Sequence, residues 1–428
     1  MDRIMSRKIC NNSNNKALSL IHIIFVASWF STSSCTTQAN VLRLQSPHVM
    51  LSPTETLEKL SNDCNDLNIL ELDIYGDFQK TPDESFLRQF EQEIAHDFEK
   101  EDAVFMPSGV MAQQIALLIH SRRSKEEPKS KFICHPTSHL MLHEQEGYQE
   151  LCDLEAIPLP TLSSTGIHAS PLLFDDVFCS KDILQDFTDC GTLILELPHR
   201  ELGGKLTPWQ DIIKLKNFLK TKDIAFHCDG ARIMEATAGY GMSLPELTKP
   251  FDSVYLSFYK GLASPFGGAM LLGDKEFCEQ ARIWLRRFGG NIYSLLPYAV
   301  AGWSGYRKYW KDQDGFFHTK LEKLIRITQE LSSSDTFSQV ASFEPKVAVV
   351  NMVHCYLRPS LTDCMEIRDQ VKDHLGVEIF HRIVPLDDKS RAYKEGFRCR
   401  LEIYMGEANG SIDDEIWVQA WLDFCKRC

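Results

Sequence analysis

Two reactive side chains stand at the ends of two apolar segments. Asp229 lies in residues 226–232 (Phe-His-Cys-Asp-Gly-Ala-Arg), and Lys260 lies in residues 257–262 (Ser-Phe-Tyr-Lys-Gly-Leu). Each segment follows a predicted strand and enters a glycine-containing loop. The two residues are 31 positions apart, about one strand–helix–strand unit, and ligands bind at the carboxyl ends of strands in such sheets. We therefore expect the carboxylate and the amine to face one crevice.

An aspartate and a lysine placed in this way suit the chemistry of pyridoxal phosphate (PLP). The amine of Lys260 can form a Schiff base with the aldehyde of the cofactor. The carboxylate of Asp229 can keep the pyridine nitrogen protonated, so that the ring accepts electrons. Either residue alone is more simply explained as an ordinary strand-end aspartate or a solvated loop lysine. Their combination favours PLP.

The surrounding pattern predicts an α/β domain over residues 50–315. Apolar strands alternate with amphipathic helices, such as the helix at 85–100, in which Phe86, Phe90, Ile94 and Phe98 recur every four residues. The predicted strands cover residues 103–105, 132–134, 156–159, 193–197, 224–228, 254–258 and 269–272. Continuous apolar strands separated by helices indicate a mostly parallel sheet that is covered on both faces.

The pattern changes after Gly290 and predicts a smaller α+β domain over residues 316–428. A long aromatic-rich helical stretch is expected at 293–332. It is followed by strands at 347–357, 377–383 and 398–405 and by helices at 364–375 and 413–425.

Composition excludes some classes of function. The net charge of −13 disfavours nucleic acids and anionic membrane surfaces as partners. The 14 cysteines are scattered, and those in apolar segments, such as Cys134, Cys228 and Cys399, are expected to be buried free thiols.

Residues 1–49 differ from the rest of the chain. A basic start precedes an apolar run over residues 18–30 and a tail of small residues, and residues 3–54 contain no Asp or Glu. The apolar run is shorter than the ~20 residues that span a bilayer. Three interpretations stay open: a secretory signal, an organelle transit peptide, or translation that begins at Met50. The third predicts a cytoplasmic protein, and the first two predict secretion or organelle targeting.

The motifs around Asp229 and Lys260 resemble those of a known family. Residues 229–232 (Asp-Gly-Ala-Arg), residues 257–262 and residues 264–268 (Ser-Pro-Phe-Gly-Gly) are similar to the threonine aldolase group of the aromatic amino acid β-eliminating lyase/threonine aldolase family. The resemblance extends over residues 73–290 and more weakly to the C-terminus. It implies a fold-type-I PLP enzyme with a mostly parallel large domain and a small C-terminal α+β domain.

The resemblance assigns the cofactor's phosphate to residues 106–112 (Met-Pro-Ser-Gly-Val-Met-Ala). In this strand–turn–helix segment, Ser108, Gly109 and Val110 would bind the phosphate through the free N–H groups of a helix start. The family usually has Thr where Val110 stands, so a hydroxyl is lost. Residues 73–76 (Asp-Ile-Tyr-Gly) resemble the family's element before the first helix.

Two histidines receive roles from the same resemblance. In residues 138–144, His139 corresponds to the residue that stacks on the cofactor ring. In residues 196–204, His199 would lie near the β-hydroxyl of the substrate and act as a base or orient one, although Leu197 and Pro198 replace polar residues there. A different interpretation of His135, His139 and His143, which recur every four residues, is a metal-binding helix face, but the turn at Pro136 disfavours it, so we expect no metal.

The resemblance also implies that two arginines hold the cofactor and substrate. Arg232 would contact the phenolic oxygen of the cofactor and help to hold the substrate, and Arg400 would bind the substrate carboxylate with its planar guanidinium. Arg398 is the alternative to Arg400, since both would project to one face of a strand.

Several substrate-side positions depart from the family pattern. The family's N-terminal Ser-Asp-Thr-x-Thr stretch is not recognisable. Residues 289–294 (Gly-Gly-Asn-Ile-Tyr-Ser) lack an expected arginine, with Tyr293 in that segment. Tyr404 replaces a histidine.

The implied activity is PLP-dependent aldol cleavage of a threonine-like β-hydroxy-α-amino acid to glycine and an aldehyde, by a homodimer or homotetramer. The alternatives are PLP-dependent β-elimination from another amino acid, or a PLP-binding protein without aldolase turnover.

Overall fold

The computed structural model describes residues 41–75, 85–123, 127–159, 161, 169–180 and 187–428. Its strands are β1 Leu42–Arg43, β2 Asp102–Met106, β3 Lys131–Cys134, β4 Glu155–Pro158, β5 Cys190–Glu196, β6 Ala225–Gly230, β7 Ser253–Ser257, β8 Ala269–Gly273, β9 Ala341–Glu344, β10 Met352–Leu357, β11 Val377–Glu378, β12 Val384–Pro385 and β13 Cys399–Tyr404.

Its helices are α1 Pro53–Asp66, α2 Phe86–Asp97, α3 Gly109–Ser121, α4 His139–His143, α5 Gly147–Glu150, α6 Phe174–Phe178, α7 Trp209–Thr221, α8 Ile233–Tyr240, α9 Leu244–Thr248, α10 Lys275–Arg287, α11 Leu296–Tyr306, α12 Phe316–Ser332, α13 Asp335–Val340, α14 Leu361–Leu375, α15 Arg391–Lys394, α16 Glu407–Gly410 and α17 Asp414–Arg427. Short 3₁₀ turns cover Phe187–Asp189 and Arg200–Leu202, and a π-helical turn covers Arg307–Lys311.

A seven-stranded sheet in the described part of the chain has the order β2-β8-β7-β6-β5-β3-β4. Strands β7, β6, β5, β3 and β4 are parallel, whereas β8 is antiparallel to both of its neighbours. This confirms the predicted α/β class with a mostly parallel sheet. Each of the predicted strands of this region overlaps an observed one, with ends that differ by at most three residues.

Apolar side chains on alternate positions pack on opposite faces of this sheet. On one face, Val104 and Leu271 pack with Ile115 of α3 and Ala281 of α10. The other face lies against α2 and α7. Helix α2 illustrates how sequence sets this packing, because Phe90 and Ile94 are fully buried and the Ser85 side chain caps its N-terminus by accepting from the Arg88 N–H.

A second, four-stranded antiparallel sheet follows, with the order β12-β13-β10-β9. Its own apolar cluster includes Val353, Leu401, Val371 of α14 and Trp421 of α17. The domain boundary at residues 315 and 316 stays a prediction.

The helical stretch predicted over residues 293–332 is divided in the structure. The structure has α11, the π-helical turn and α12, and Gly315 adopts a left-handed φ of 71° immediately before α12. The strands predicted at 347–357 and 377–383 are also shorter, and β9 was missed. Among the described residues, no helix combines the length and the apolar character that crossing a membrane requires.

Residues 42–48 belong to the folded unit, which therefore begins before the boundary that we drew at residue 50. β1 pairs in parallel with β11. Leu44 is fully buried in the second apolar cluster, and the Gln45 side chain donates to the carbonyls of Arg382 and Glu402 at 2.8 and 3.0 Å. Residues 1–40 of the predicted N-terminal extension lie outside the described residues, so the three interpretations of that segment stay open.

We expect Leu44→Ala to lower the free energy of unfolding by about 2–5 kcal/mol, the range for truncating a buried leucine. The matched control is Leu42→Ala on the same segment, where the side chain is 37% exposed, and it should change stability by less than about 0.5 kcal/mol. Urea unfolding curves give the free energy of unfolding of both variants. Equal stability of the two variants would show that residues 42–48 do not contribute to the fold.

Candidate active site

Three polar side chains lie in one row at the carboxyl end of the central sheet. Glu196 of β5 is in register with Asp229 of β6, which is in register with Tyr255 of β7. Side chains that are in register on neighbouring parallel strands point to the same face, and here that face is the one that α3 covers. All three are buried. The register therefore places two carboxyl groups side by side in a protected environment.

The environment of Asp229 makes its negative charge unfavourable unless a cation is added. Burial, and then the neighbouring carboxylate of Glu196, raises the pKa of Asp229 to about 7. Its Oδ1 accepts the Ala231 N–H at 3.1 Å. A carboxylate in this situation is strongly stabilised by a cationic N–H partner.

Lys260 lies in the loop after β7 and is half-buried. Burial lowers the pKa of its amine to about 8, and the charges of Arg232 and Arg200 act in the same direction, so they lie nearby. A lowered pKa leaves a larger neutral fraction of the amine, which is the nucleophilic form. The charges of Asp229 and Lys260 both act on His139, so the structure brings these three residues together.

The predicted phosphate loop forms the start of α3. The first N–H of this helix that bonds within it is that of Ala112, which donates to the Ser108 carbonyl at 3.1 Å. The N–H groups of Gly109 and Val110 precede it and belong to the free N–H groups of a helix start. A Cβ at Gly109 would lie 2.0 Å from the Tyr255 hydroxyl, so only glycine permits this close approach of the helix to β7.

His139 begins α4 beside the two carboxyl groups. Its backbone N–H donates to Glu196 Oε2 at 3.3 Å, and its Nδ1 lies 2.9 Å from Glu144 Oε1. Glu144 also accepts from the Gln114 side chain at 3.1 Å. Glu196 thus holds the backbone of His139 and Glu144 holds its ring, while the residue remains partly exposed.

His199 is buried in the segment that follows β5. Its Nε2 lies 3.0 Å from the Thr137 hydroxyl and 3.3 Å from the Thr137 carbonyl. Burial lowers its pKa to about 4, so the imidazole is neutral near pH 7 and can accept a proton.

The three histidines of the metal interpretation contact protein groups instead. His135 bonds to the Ser170 carbonyl, His139 to Glu144, and His143 to Glu201 at 3.0 Å. Only His139 and His143 lie on a helix. In the described residues, no group of three or more His, Cys, Asp or Glu side chains could hold a metal ion.

Arg232 follows β6 and faces acidic side chains from both sheets. Burial opposes its charge, but Glu402 and Glu235 outweigh burial and raise its pKa. The Tyr404 hydroxyl donates to Glu235 Oε1 at 2.5 Å. This pair packs on Gly261, because a Cβ there would lie 2.4 Å from Glu235 Oε1 and 2.7 Å from the Tyr404 hydroxyl.

Arg400 and Arg398 have different surroundings. Arg400 donates to Glu201 Oε2 at 2.9 Å, and Arg200 bridges Glu201 and Glu402, each at 2.9 Å. Arg398 precedes β13, lies over the Tyr393 ring and donates to the Tyr393 carbonyl. The structure therefore places Arg400, and not Arg398, in the charged network beside the site.

The sequence analysis missed four charged or titratable residues here. Glu201 and Glu402 hold the arginines, Glu196 accepts N–H groups from both His139 and Arg200, and His48 Nε2 donates to the Lys260 carbonyl at 3.0 Å. Glu196 alone gave a usable signal, because it is a carboxylate at the end of an otherwise apolar strand that is buried throughout. His48 lies before residue 50, outside both predicted domains.

The family model described as beta-eliminating lyase matches residues 74–329, more than half of the chain. The chain belongs to this family of lyases.

Relatives within the family include threonine aldolases. The chain is 32% identical over 220 residues to a low-specificity L-threonine aldolase of Candida albicans and 30% identical over 230 residues to one of Escherichia coli O157:H7. These matches cover 51% and 54% of this chain but only 56% and 63% of the relatives, less than two thirds of their length.

Solved structures match over a larger part of both chains. A Listeria monocytogenes protein assigned as an L-allo-threonine aldolase has a TM-score of 0.76 and 30% identity, with coverage of 90% of this chain and 96% of that chain. An Exiguobacterium protein assigned as an aromatic amino acid beta-eliminating lyase/threonine aldolase has a TM-score of 0.74 and 28% identity, over 90% and 97%. The fold is accordingly the fold-type-I architecture that the resemblance implied.

We expect Gly109→Ala to lower the free energy of unfolding by about 1–3 kcal/mol, since the new methyl group must displace Tyr255 in a packed layer. Val110→Ala is the control, because Val110 is 37% exposed at the next position, and it should change stability by less than about 0.5 kcal/mol. Urea unfolding without added cofactor measures both. A Gly109→Ala protein as stable as the control would contradict the close approach of α3 to β7.

Proposed function

We propose that the protein binds PLP and cleaves a β-hydroxy-α-amino acid to glycine and an aldehyde. The observation that carries the proposal is the joint placement of Asp229, Lys260 and His139 at the carboxyl end of the central sheet, where each lies within the electrostatic influence of the others. The threonine aldolase relatives support this choice within the family.

The residues present fit the cofactor. The free N–H groups and the helix dipole at the start of α3 suit a phosphate, and Gly109 lets this end of the helix lie close to β7. Lys260 would attach to the aldehyde carbon, Asp229 would bind the pyridine N–H, and the ring of His139 would stack on the cofactor plane. Arg232 would reach the phenolic oxygen. The raised pKa of Asp229 is part of the fit, because a cationic N–H would offset the cost of its burial.

Bound PLP supplies an electron sink for the electron pair that the substrate Cα gains when a bond to it breaks. For aldol cleavage, the Cα–Cβ bond must stand perpendicular to the cofactor plane, so the protein has to fix the orientation of the substrate. Arg400 would do this by binding the substrate carboxylate through two parallel N–H bonds. The Arg400 guanidinium already faces a carboxylate, that of Glu201.

The reaction also requires a group that takes the β-hydroxyl proton as the aldehyde forms. His199 is the proposed acceptor, directly or through a water molecule. Its burial keeps the imidazole neutral at pH 7, so one ring nitrogen has a lone pair that can take this proton. The Cα of the product then takes up a proton to give glycine.

We also infer a homodimer or homotetramer. Symmetric assemblies are the rule for soluble oligomers. Large apolar side chains are exposed near residues 70–75 and at Tyr293, which contacts Tyr75 ring to ring at 5.3 Å. Such a surface could be buried between subunits.

The proposed function is tested by product analysis with the purified holoenzyme. Wild-type protein should release glycine and the matching aldehyde from threonine-like substrates. Borohydride should fix the cofactor onto the peptide that contains Lys260, as read by mass spectrometry. Lys260→Ala should lose both the attached cofactor and at least about 99% of the activity, since the covalent link and its amine are removed.

The alternatives give different products. Pyruvate and ammonia from serine or cysteine, without glycine from any β-hydroxy amino acid, would replace the aldolase by an eliminating enzyme. Reducible cofactor on Lys260 without turnover of either kind would indicate a PLP-binding protein that does not act as an aldolase.

A second prediction concerns the substrate carboxylate. Arg400→Lys keeps the charge but loses the planar pair of donors, so we expect KM to rise about tenfold or more while the absorbance of the bound cofactor is unchanged. Arg398→Lys is the control, since Arg398 binds Tyr393 away from the network, and its KM should stay within about twofold of wild type. The reverse result would assign the carboxylate to Arg398.

A further inference from the structure

A small polar cluster lies behind His199, and the proposed reaction does not use it. The rings of His135 and His199 meet edge to face, with centroids 4.6 Å apart and planes at 73°. The Thr137 hydroxyl lies between them, 2.9 Å from His135 Nδ1 and 3.0 Å from His199 Nε2. His135 and His199 are both almost fully buried. Each hydrogen-bond donor of this cluster therefore needs an acceptor within the protein.

The partners of His135 fix its protonation. Its Nε2 lies 3.2 Å from the Ser170 carbonyl, which can only accept, so Nε2 carries a hydrogen. Its Nδ1 accepts the Thr137 backbone N–H at 3.0 Å, so Nδ1 carries a lone pair. His135 is therefore neutral, in agreement with a pKa that burial, and then the neighbouring His199, lowers to about 3. An Nδ1 lone pair also attracts the hydrogen of the Thr137 hydroxyl.

These assignments decide the state of His199. If the Thr137 hydroxyl donates to His135 Nδ1, its oxygen presents a lone pair to His199 Nε2. The Thr137 carbonyl at 3.3 Å and Glu196 Oε2 at 3.9 Å face the same nitrogen. Since a carbonyl and a carboxylate oxygen accept, all three oxygens favour a hydrogen on Nε2. A neutral His199 then has its free lone pair on Nδ1.

We propose that His135, acting through the Thr137 hydroxyl, is a positioning residue that holds His199 in the tautomer protonated at Nε2 and so makes Nδ1 the atom that accepts the substrate proton. The inference rests on the proposed function for the role of His199, but the tautomer itself does not depend on the reaction. His135 matters because it gives the Thr137 hydroxyl an acceptor. Without that acceptor, the hydroxyl is free to turn and donate to His199 Nε2, which favours the opposite tautomer in competition with the Thr137 carbonyl and Glu196.

The tautomer is measured by nitrogen NMR of holoenzyme labelled with ¹⁵N in histidine, since protonated and unprotonated ring nitrogens have well-separated shifts. His199→Phe identifies the resonances of His199. Wild-type His199 should show a protonated Nε2 and an unprotonated Nδ1. In His135→Leu, the Nδ1-protonated tautomer should become substantially populated. His135→Asn, whose side-chain oxygen can accept from Thr137 in place of Nδ1, should retain the wild-type pattern.

Kinetics supply the second readout. Thr137→Val, which replaces the hydroxyl by a methyl group, should lower kcat roughly tenfold, the scale of one lost hydrogen bond. Thr137→Ser should restore most of the rate. His135→Leu should also lower kcat about tenfold or more, with KM and the cofactor absorbance within about twofold of wild type. In the Thr137→Val background, His135→Leu should have little further effect, because the hydroxyl through which it acts is gone.

The outcomes separate this proposal from the proposed function. A wild-type His199 protonated at Nδ1, or an equal loss of kcat on His135→Leu in both backgrounds, would overturn the role of His135. If Thr137→Val and Thr137→Ser lost activity equally, the hydroxyl would not be the connecting group. Absence of glycine release by wild-type protein would instead refute the aldolase function, and the NMR measurement would still decide the tautomer.

Discussion

The site depends on the cost of burying two carboxyl groups next to each other. Glu196 and Asp229 are in register on neighbouring strands. Desolvation raises the pKa of both, and the charge of Glu196 raises that of Asp229 further. Protein N–H groups satisfy Glu196, which receives those of His139 and Arg200 and thereby ties the loop after β3 to the loop after β5. Asp229 accepts the Ala231 N–H, and a cationic N–H partner at this carboxylate would offset the cost of its burial.

The four-stranded sheet contributes side chains to the surroundings of the site from alternate positions of β13. Arg400, Glu402 and Tyr404 occupy every other position. They reach Glu201 and Arg200 in the 3₁₀ turn after β5, and Glu235 of α8. The positions between them, Cys399, Leu401 and Ile403, are buried in the second apolar cluster. Because side chains alternate along a strand, one face of β13 packs in the second apolar cluster. Its other face presents charged and polar side chains toward the seven-stranded sheet. The pairing of Arg with Glu along this boundary keeps each buried charge compensated.

Sequence reasoning located strand ends and helix starts where the neighbouring residues carry a local signal. Asp229, Lys260 and Gly109 follow apolar strands and precede glycine turns or helix starts, and those local signals located the strand ends correctly. It failed where a contact joins distant segments. His48 lies 212 positions from Lys260, and Glu201 lies 199 positions from Arg400. No local pattern in the sequence can therefore indicate these two contacts. The long helix predicted after Gly290 failed for a different reason, because Gly315 turns the chain through a left-handed conformation that helical periodicity does not register.

The position of Tyr404 shows how a departure from the family pattern is compensated. Its phenol is buried and donates to Glu235, and both groups press on Gly261, the residue after Lys260. A neutral phenol can satisfy a buried carboxylate without adding a charge beside Arg232, whereas a protonated imidazole would add one. Tyr404 and Glu235 together therefore support the loop of Lys260 from behind. This support comes from β13 and α8, whereas Asp229 and the start of α3 belong to the seven-stranded sheet and the helix that covers it.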